Sequence, residues 1–314
     1  MRKSPYYTII RSDVGAHGRR PTGRLGRRLF SGAQARESRS VFHTIDKALV
    51  NTYSEYVTRR RGISLAQGIV DSHSHIGMCD VFGLNQTPGQ LLAEMDRHEI
   101  QVAVVQPFPG VQDARLVHDE IATMAAQFPG RVYGLASIWP HGDPDVYEKE
   151  IRRCIGELGF VGIKIHTLGH AVGPRSPGAL RLITLAAELR VPIMIHTGTG
   201  IPFSDPGLWL PLIQRHPTTQ FILAHAGAGI LGGAALSVAQ VCPNVTLETS
   251  FVPPQEIRGF CATLGVERVM YGSDVIPAIS TEIAKYESLD LREEERNKVM
   301  STNATTLFRL AAQP

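Results

Sequence analysis

Two histidines stand one residue apart at the end of the apolar run GIVDSHSHIG, residues 68 to 77. Alternate residues of an extended strand share a face, so His73 and His75 can bring both imidazoles to one point. A third histidine, His196, closes VPIMIHTG, and Asp274 closes ERVMYGSDV. Together they make a set of three nitrogens and one oxygen that suits one divalent ion, Zn²⁺ first, with Mn²⁺ or Fe²⁺ as alternatives. An open coordination position would hold water and lower its pKa from about 15.7 toward 7. Asp274, at the edge of such a metal, and His225, which ends TQFILAHAG, are the candidates to carry the proton. His225 could instead polarise a substrate carbonyl or hold the water.

These residues need elements that deliver them to one place. From residue 63 the chain alternates short β-branched runs with longer amphipathic ones. The runs cover 68–76, 101–108, 131–140, 159–167, 191–198, 219–227, 244–250 and 267–275. Between them lie helical patterns such as TPGQLLAEMDRHE, with Thr87 placed to cap and Pro88 in the first turn. DARLVHDEIATMAAQF and SPGALRLITLAAELR are two more. Alternation of this kind implies parallel pairing, and eight units in about 250 residues is the content of a (β/α)₈ TIM barrel of the α/β class. A doubly wound open sheet is the alternative, but no GxGxxG follows the first run.

Polar residues gather at the C-terminal ends of these runs: His73, His75, Lys164, His166, His196, His225, Glu248 and Asp274. Barrel active sites are built at that rim. One histidine at a strand end is usually just a satisfied polar side chain; several at equivalent rims of a closed barrel favour a metal, which satisfies them together. Lys164 and His166 share a face and are candidate substrate contacts, with packing as the plainer reading of Lys164. Glu248 is expected behind the ligands rather than among them. Cys79 reads as a small buried hydrophobe. Arg115 and Arg175 are the nearest arginines able to grip a substrate carboxylate.

The composition, 43% hydrophobic and 19% charged, is that of an ordinary globular protein. No apolar run reaches the roughly 18 to 20 residues of a membrane span. Four cysteines without CxxC spacing fit free thiols in a reducing compartment. Residues 1–62 carry 14 basic and 4 acidic residues, net +10, which leaves 18 basic and 25 acidic residues, net −7, over 63–314. The chain therefore divides into a basic extension over 1–62 and a catalytic domain over 63–314. The extension is expected to be disordered to about residue 40 and then to form one amphipathic helix across roughly 41 to 60. It reads as a plain extension, a transit peptide or an arm for polyanions. No aromatic residues interleave its arginines, which disfavours nucleic acid. Localisation is expected to be cytoplasmic, or an organelle matrix if the extension is a transit peptide. The expected partner is a small-molecule substrate, with no membrane and with a homodimer kept open.

The ordered pattern VDSHSH, GIKIHT, IMIHTG, LAHAG, YGSD resembles the amidohydrolase superfamily. More narrowly it resembles the branch of aminocarboxymuconate-semialdehyde decarboxylase-like metal-dependent hydrolases (amidohydrolase 2 type), over roughly 68 to 310. The resemblance implies that His73, His75, His196 and Asp274 bind a divalent metal and that His225 is the catalytic histidine. Some members of the superfamily carboxylate a lysine at the place of Lys164 to bridge two metals, but GIKIH motifs usually accompany one. HTGTG places no carboxylate after His196, which disfavours nucleobase deamination, and no GxSxG motif appears. The leading expectation is metal-dependent hydrolysis of a small amide, ester or lactone. Its alternative is non-oxidative decarboxylation of an aromatic or unsaturated carboxylic acid on the same metal. A barrel this short leaves little chain for the insertions of a decarboxylase pocket, which favours hydrolysis. A metal-binding protein without turnover is the third reading.

Overall fold

The structure is a computed structural model of the 314-residue chain and describes residues 68–310 apart from Val81, Thr199 and Ile201. The basic extension and the helix expected across 41 to 60 lie outside the described residues. All eight expected strands are present: β1 (Ile69–Cys79), β3 (Ile100–Pro107), β4 (Val132–Ala136), β5 (Gly162–Ile165), β6 (Ile193–His196), β7 (Phe221–Ala224), β8 (Val245–Glu248) and β9 (Val269–Met270). A short strand β2 (Leu84–Gln86) folds back antiparallel onto the end of β1. The other eight pair in parallel and in chain order. The ring closes where Ser72 N–H donates to Tyr271 O at 3.2 Å and Asp274 N–H to His73 O at 2.6 Å. Ser74 and Asp274 form the parallel bridge at that seam. The fold is the expected (β/α)₈ barrel.

Helices return each strand to the next. They are α1 (Pro88–Arg97), α2 (Ala114–Gln127), α3 (Pro144–Gly156), α4 (Pro177–Leu189), α5 (Pro206–Arg215), α6 (Gly232–Val241) and α7 (Pro254–Leu264). After β9 come α8 (Ile279–Glu287), α9 (Glu293–Asn297) and α10 (Asn303–Phe308). Their starts are written locally. Thr87 and Gln90 form a capping box before α1, and Asp113, Asp143, Ser176 and Asp205 cap α2 to α5.

Alternation along the strands sorts the core into two layers. Ile163, Ile165, Ile193 and Ile195 face the helices, whereas Val70, Val102, Val104, Met194, Ile222 and Met270 pack with Phe308 and Leu310 in a second cluster. Lys164, between two helix-facing isoleucines, belongs to the inner face.

One buried ion cluster ties α2 to α3. Glu150 Oε1 accepts from His118 Nδ1 at 2.8 Å and from Arg153 Nη2 at 2.7 Å. Ser137 N–H donates to the other ring nitrogen of His118 at 3.1 Å. Although His118, Glu150 and Cys154 bring their ligand atoms close together, both nitrogens of His118 are used, so this cluster is a structural tie. Burial pushes the Glu150 carboxyl up, but His118 and Arg153 outweigh it and hold it down at about 2. A depressed carboxyl contributes stability above its unfolded pKa and loses it as pH falls through the folded one. The stability gap between wild type and Glu150→Gln in urea titrations should be constant above about pH 4.5. It should close between about 4.5 and 2, with about 3 kcal/mol as its upper bound. A gap that does not change over that window would refute the assignment.

Candidate metal centre

At the seam, Asp71 is fully buried and spends both oxygens on the two strands that meet there. Oδ1 accepts from His73 N–H at 3.1 Å and Ser273 N–H at 3.0 Å. Oδ2 accepts from the hydroxyls of Ser74 at 2.8 Å and Ser273 at 2.5 Å. The register of β1 shifts between Asp71 and Ser74, and such irregularities re-aim side chains. Gly272 is required in the same place, because a methyl group there would lie 2.6 Å from Glu248 Oε1 and 2.8 Å from His73 Cβ.

His73 Nδ1 lies 2.7 Å from Glu248 Oε2. That carboxylate also accepts from Ser250 N–H, Ser250 Oγ and His225 N–H at 2.6, 3.0 and 3.0 Å. Burial raises the Glu248 carboxyl, but His73 and these donors bring it down to about 2, so it is ionised and His73 Nδ1 carries a proton. His75 Nδ1 lies 3.0 Å from Pro107 O, which only accepts, so it too is protonated. Burial drives the His75 pKa to about 4, leaving a neutral ring with its lone pair on Nε2.

The three inward atoms converge. His73 Nε2 and His75 Nε2 are 3.2 Å apart, and Asp274 Oδ1 lies 3.0 Å from the first and 3.3 Å from the second. Burial pushes the Asp274 carboxyl up, but the histidines hold it well below its ordinary value. For His73, burial and Lys164 oppose protonation, yet Glu248 and Asp274 outweigh them and raise the pKa. The cluster therefore attracts positive charge to the point its acceptors share. An anionic oxygen facing two imidazole nitrogens suits one divalent cation, which would take the place of that proton. The residues fit a metal.

The other expected residues surround this point. His196 stacks on His166, with ring centroids 4.2 Å apart, and meets His225 edge-on at 4.8 Å. It touches the rings of the cluster but stands outside the tight convergence of His73, His75 and Asp274. His225 Nε2 is 4.0 Å from Asp274 Oδ1, and its Nδ1 is 2.8 Å from Ser250 Oγ. Burial lowers its pKa to about 4. Lys164 Nζ is fully buried and donates to His73 Nε2 at 2.9 Å. Burial lowers its pKa to about 8, against the pull of Asp274 and Glu248. His166 Nδ1 accepts from Gly169 N–H at 2.9 Å, which fixes its ring. Cys79 is buried, as expected, with Sγ 2.7 Å from Pro109 O.

Two non-glycine residues of the site hold left-handed backbone, His225 with φ 63° and Asp274 with φ 66°. Such residues cost of order 1–3 kcal/mol each and collect at functional sites. Hydrogen bonds pay for them here: His225 N–H to Glu248 and Asp274 N–H to His73 O.

The two arginines do not join the cluster. Arg115 is largely exposed and 4.0 Å from Glu150, and Arg175 is exposed. Arg115 lines a cavity of about 970 Å³ with Trp139, Tyr147 and His170, but none of the converging residues does. Phe108, on the cavity wall, stacks on His75 with centroids 4.7 Å apart. Sequence reasoning missed Gln106, whose Nε2 lies 3.1 Å from His75 Nε2, although it too is a polar residue at a strand end. It also missed Ser250, which stands two residues beyond Glu248 and so on the same side of the chain.

Comparison with known proteins adds the family. The gamma-resorcylate decarboxylase of Rhodococcus jostii is 27% identical over 282 residues, covering 69% of this chain and 85% of that protein. The gamma-resorcylate decarboxylase of a Rhizobium species is 23% identical over 281 residues, with the same coverage. In fold, the chain is similar to a dihydroxybenzoic acid decarboxylase from a Polaromonas species, solved with manganese and the inhibitor 2-nitroresorcinol. That match has a TM-score of 0.64 at 20% identity and covers 78% of this chain and 97% of the other. These relatives overturn the expectation of amide, ester or lactone hydrolysis. The length argument behind it fails, because a chain of this size spans most of a decarboxylase. The scarcity of arginine misled too, because buried Lys164 supplies a cation at the cluster. The amidohydrolase family model matches residues 70–310, most of the chain and nearly all of the barrel, and the chain is a member of the amidohydrolase family.

Proposed function

We propose that the chain is a metal-dependent, non-oxidative decarboxylase of a small aromatic or unsaturated carboxylic acid. The observation that carries this reading is a buried ammonium, Lys164 Nζ, 2.9 Å from a ligand nitrogen of the metal cluster, in a chain related to decarboxylases. His73, His75 and Asp274, with His196 beside them, would hold one divalent ion, which supplies a Lewis acid for anionic substrate oxygens. Manganese is the first choice, since it occupies a protein of the same fold, ahead of zinc.

The residues of the chain do the rest. Lys164 pairs with a carboxylate or hydroxyl oxygen and orients the acid. The Ser250 hydroxyl donates to Glu248, so Ser250 Oγ accepts from His225 Nδ1–H. His225 Nε2 is then the free lone pair facing the site, able to take a proton and return it to carbon. Glu248, through Ser250, steadies the imidazolium while it lasts. The carbon bearing the carboxylate takes that proton, and its bond to the carboxylate breaks. The bonding pair stays with the carbon and carbon dioxide leaves, so that R–COO⁻ and H⁺ give R–H and CO₂.

Manganese-loaded full-length chain in D₂O should release CO₂ from a hydroxybenzoate and leave one deuterium at the vacated carbon. Hydrolysis of an ester or lactone panel, with no CO₂ from any acid, would sink the proposal.

A further inference from the structure

The histidines of the site belong to a longer row of rings. Phe82 lies 5.8 Å from His166, which is 4.2 Å from His196, which is 4.8 Å from His225, which is 5.7 Å from Phe251, all between ring centroids. The three histidines are buried, whereas Phe82 and Phe251, at the two ends, are 43% and 48% exposed. Phe82 comes from the turn between β1 and β2, and Phe251 from the loop after β8.

Phe251 is held there at a cost. Its φ of 60° is left-handed, a conformation rarely adopted by a bulky residue. Two side chains of α8 hold the loop: Glu282 Oε1 accepts from Phe251 N–H at 3.1 Å, and Lys285 Nζ donates to Thr249 O at 3.1 Å and Val252 O at 2.9 Å. Lys285 also pairs with Glu282. Strain, a dedicated clamp and an aromatic face left in water together are poorly explained by packing.

We propose that Phe82 and Phe251 are specificity-determining residues, which admit a flat ring between them with its acid group turned inward to Lys164 and the metal cluster, and that Glu282 is the positioning residue for Phe251. The inference rests on the decarboxylase reading for the acid group but not for the ring. Aromatic faces reward a planar apolar body and penalise a second charge at the outer end, which would lose its water there. The substrate is thus a single-ring acid whose polar groups cluster near the carboxylate, rather than an acyclic acid charged at both ends.

The test uses manganese-loaded full-length chain, with binding of 2-nitroresorcinol read by calorimetry beside turnover of a hydroxybenzoate and of an acyclic unsaturated acid. Phe251→Ala and Phe82→Ala should each weaken 2-nitroresorcinol binding and raise KM for the hydroxybenzoate by about five- to tenfold, with a smaller change in kcat. KM for the acyclic acid should not move, and Phe251→Tyr should restore the wild-type values. Glu282→Ala should reproduce the Phe251→Ala shift in KM, while Glu282→Gln, which keeps the acceptor oxygen, should not. Equal affinity in wild type and both alanine variants would overturn the proposal, as would a wild type that does not bind 2-nitroresorcinol. If wild type binds it and loses it in the variants, yet decarboxylates nothing, the mouth stands and the decarboxylase reading falls.

Discussion

Asp274→Ala and His196→Ala are expected to lose both the bound ion and about a thousandfold or more of kcat/KM, while His225→Ala keeps its ion and loses activity alone. Asp274 Oδ1 is the anionic oxygen that meets both Nε2 atoms. Without it, two neutral nitrogens face a cation with no charge to balance it. His225 is in a different position. Its Nε2 is 4.0 Å from the same oxygen and its other nitrogen is committed to Ser250. Removing it takes away a proton carrier but leaves the convergent atoms in place. Elemental analysis should return close to one divalent ion per chain for wild type and His225→Ala and close to none for the other two. Near two ions per wild-type chain would end the single-metal reading and make Lys164 a candidate bridge. Full turnover by His225→Ala would end its assignment as the proton carrier.

The second large effect is at Lys164. Lys164→Met replaces a buried ammonium with an apolar chain of similar length. Replacing a buried charge by a well-packed apolar group is often neutral or stabilising, so folding should survive. Substrate affinity should not: a hydrogen bond to a charged group in a dry site contributes about 1.5–3 kcal/mol, so kcat/KM should fall about a hundredfold. Lys164→Arg should not rescue it, since a planar fork does not fit where a compact ammonium sits between isoleucine neighbours on one strand. Metal content should stay near one per chain. Loss of the ion in Lys164→Met would show instead that the lysine serves the ligands rather than the substrate.

The barrel was legible because its strands are buried on both faces and so read as short β-branched runs between capped helices. Thr87 and Ser176 marked helix starts from the sequence alone, and both cap as expected. The three-residue β2 was too short to leave a pattern, and it brings in Gln86, whose side chain bonds His75 O and Ile276 N–H. His73 and His75 were legible as a pair from alternation, and Glu248 as their support from its strand end. The tight approach of Asp274 was not, because it depends on the Asp71 clamp and a left-handed turn that spacing does not encode. The reaction was not legible either. Hydrolysis and decarboxylation can share one set of ligands, and the features weighed between them, chain length and arginine count, say little about a pocket in which a single buried lysine supplies the charge.

The clamp at the barrel seam also bears on how the molecule comes to exist. Asp71 and Ser273 are 202 residues apart in the chain, and their bonds join the first strand to the last. Contacts of that separation carry a closure cost in chain entropy and make for slow folding. The ligand set is split across the same gap, so a nascent or truncated chain ending before residue 274 holds two histidines of the site but no carboxylate to close it. An ion that binds only the finished ring stabilises it by mass action and leaves partial chains untouched. Metal uptake during refolding would thus time the last step of assembly, the moment the ring shuts.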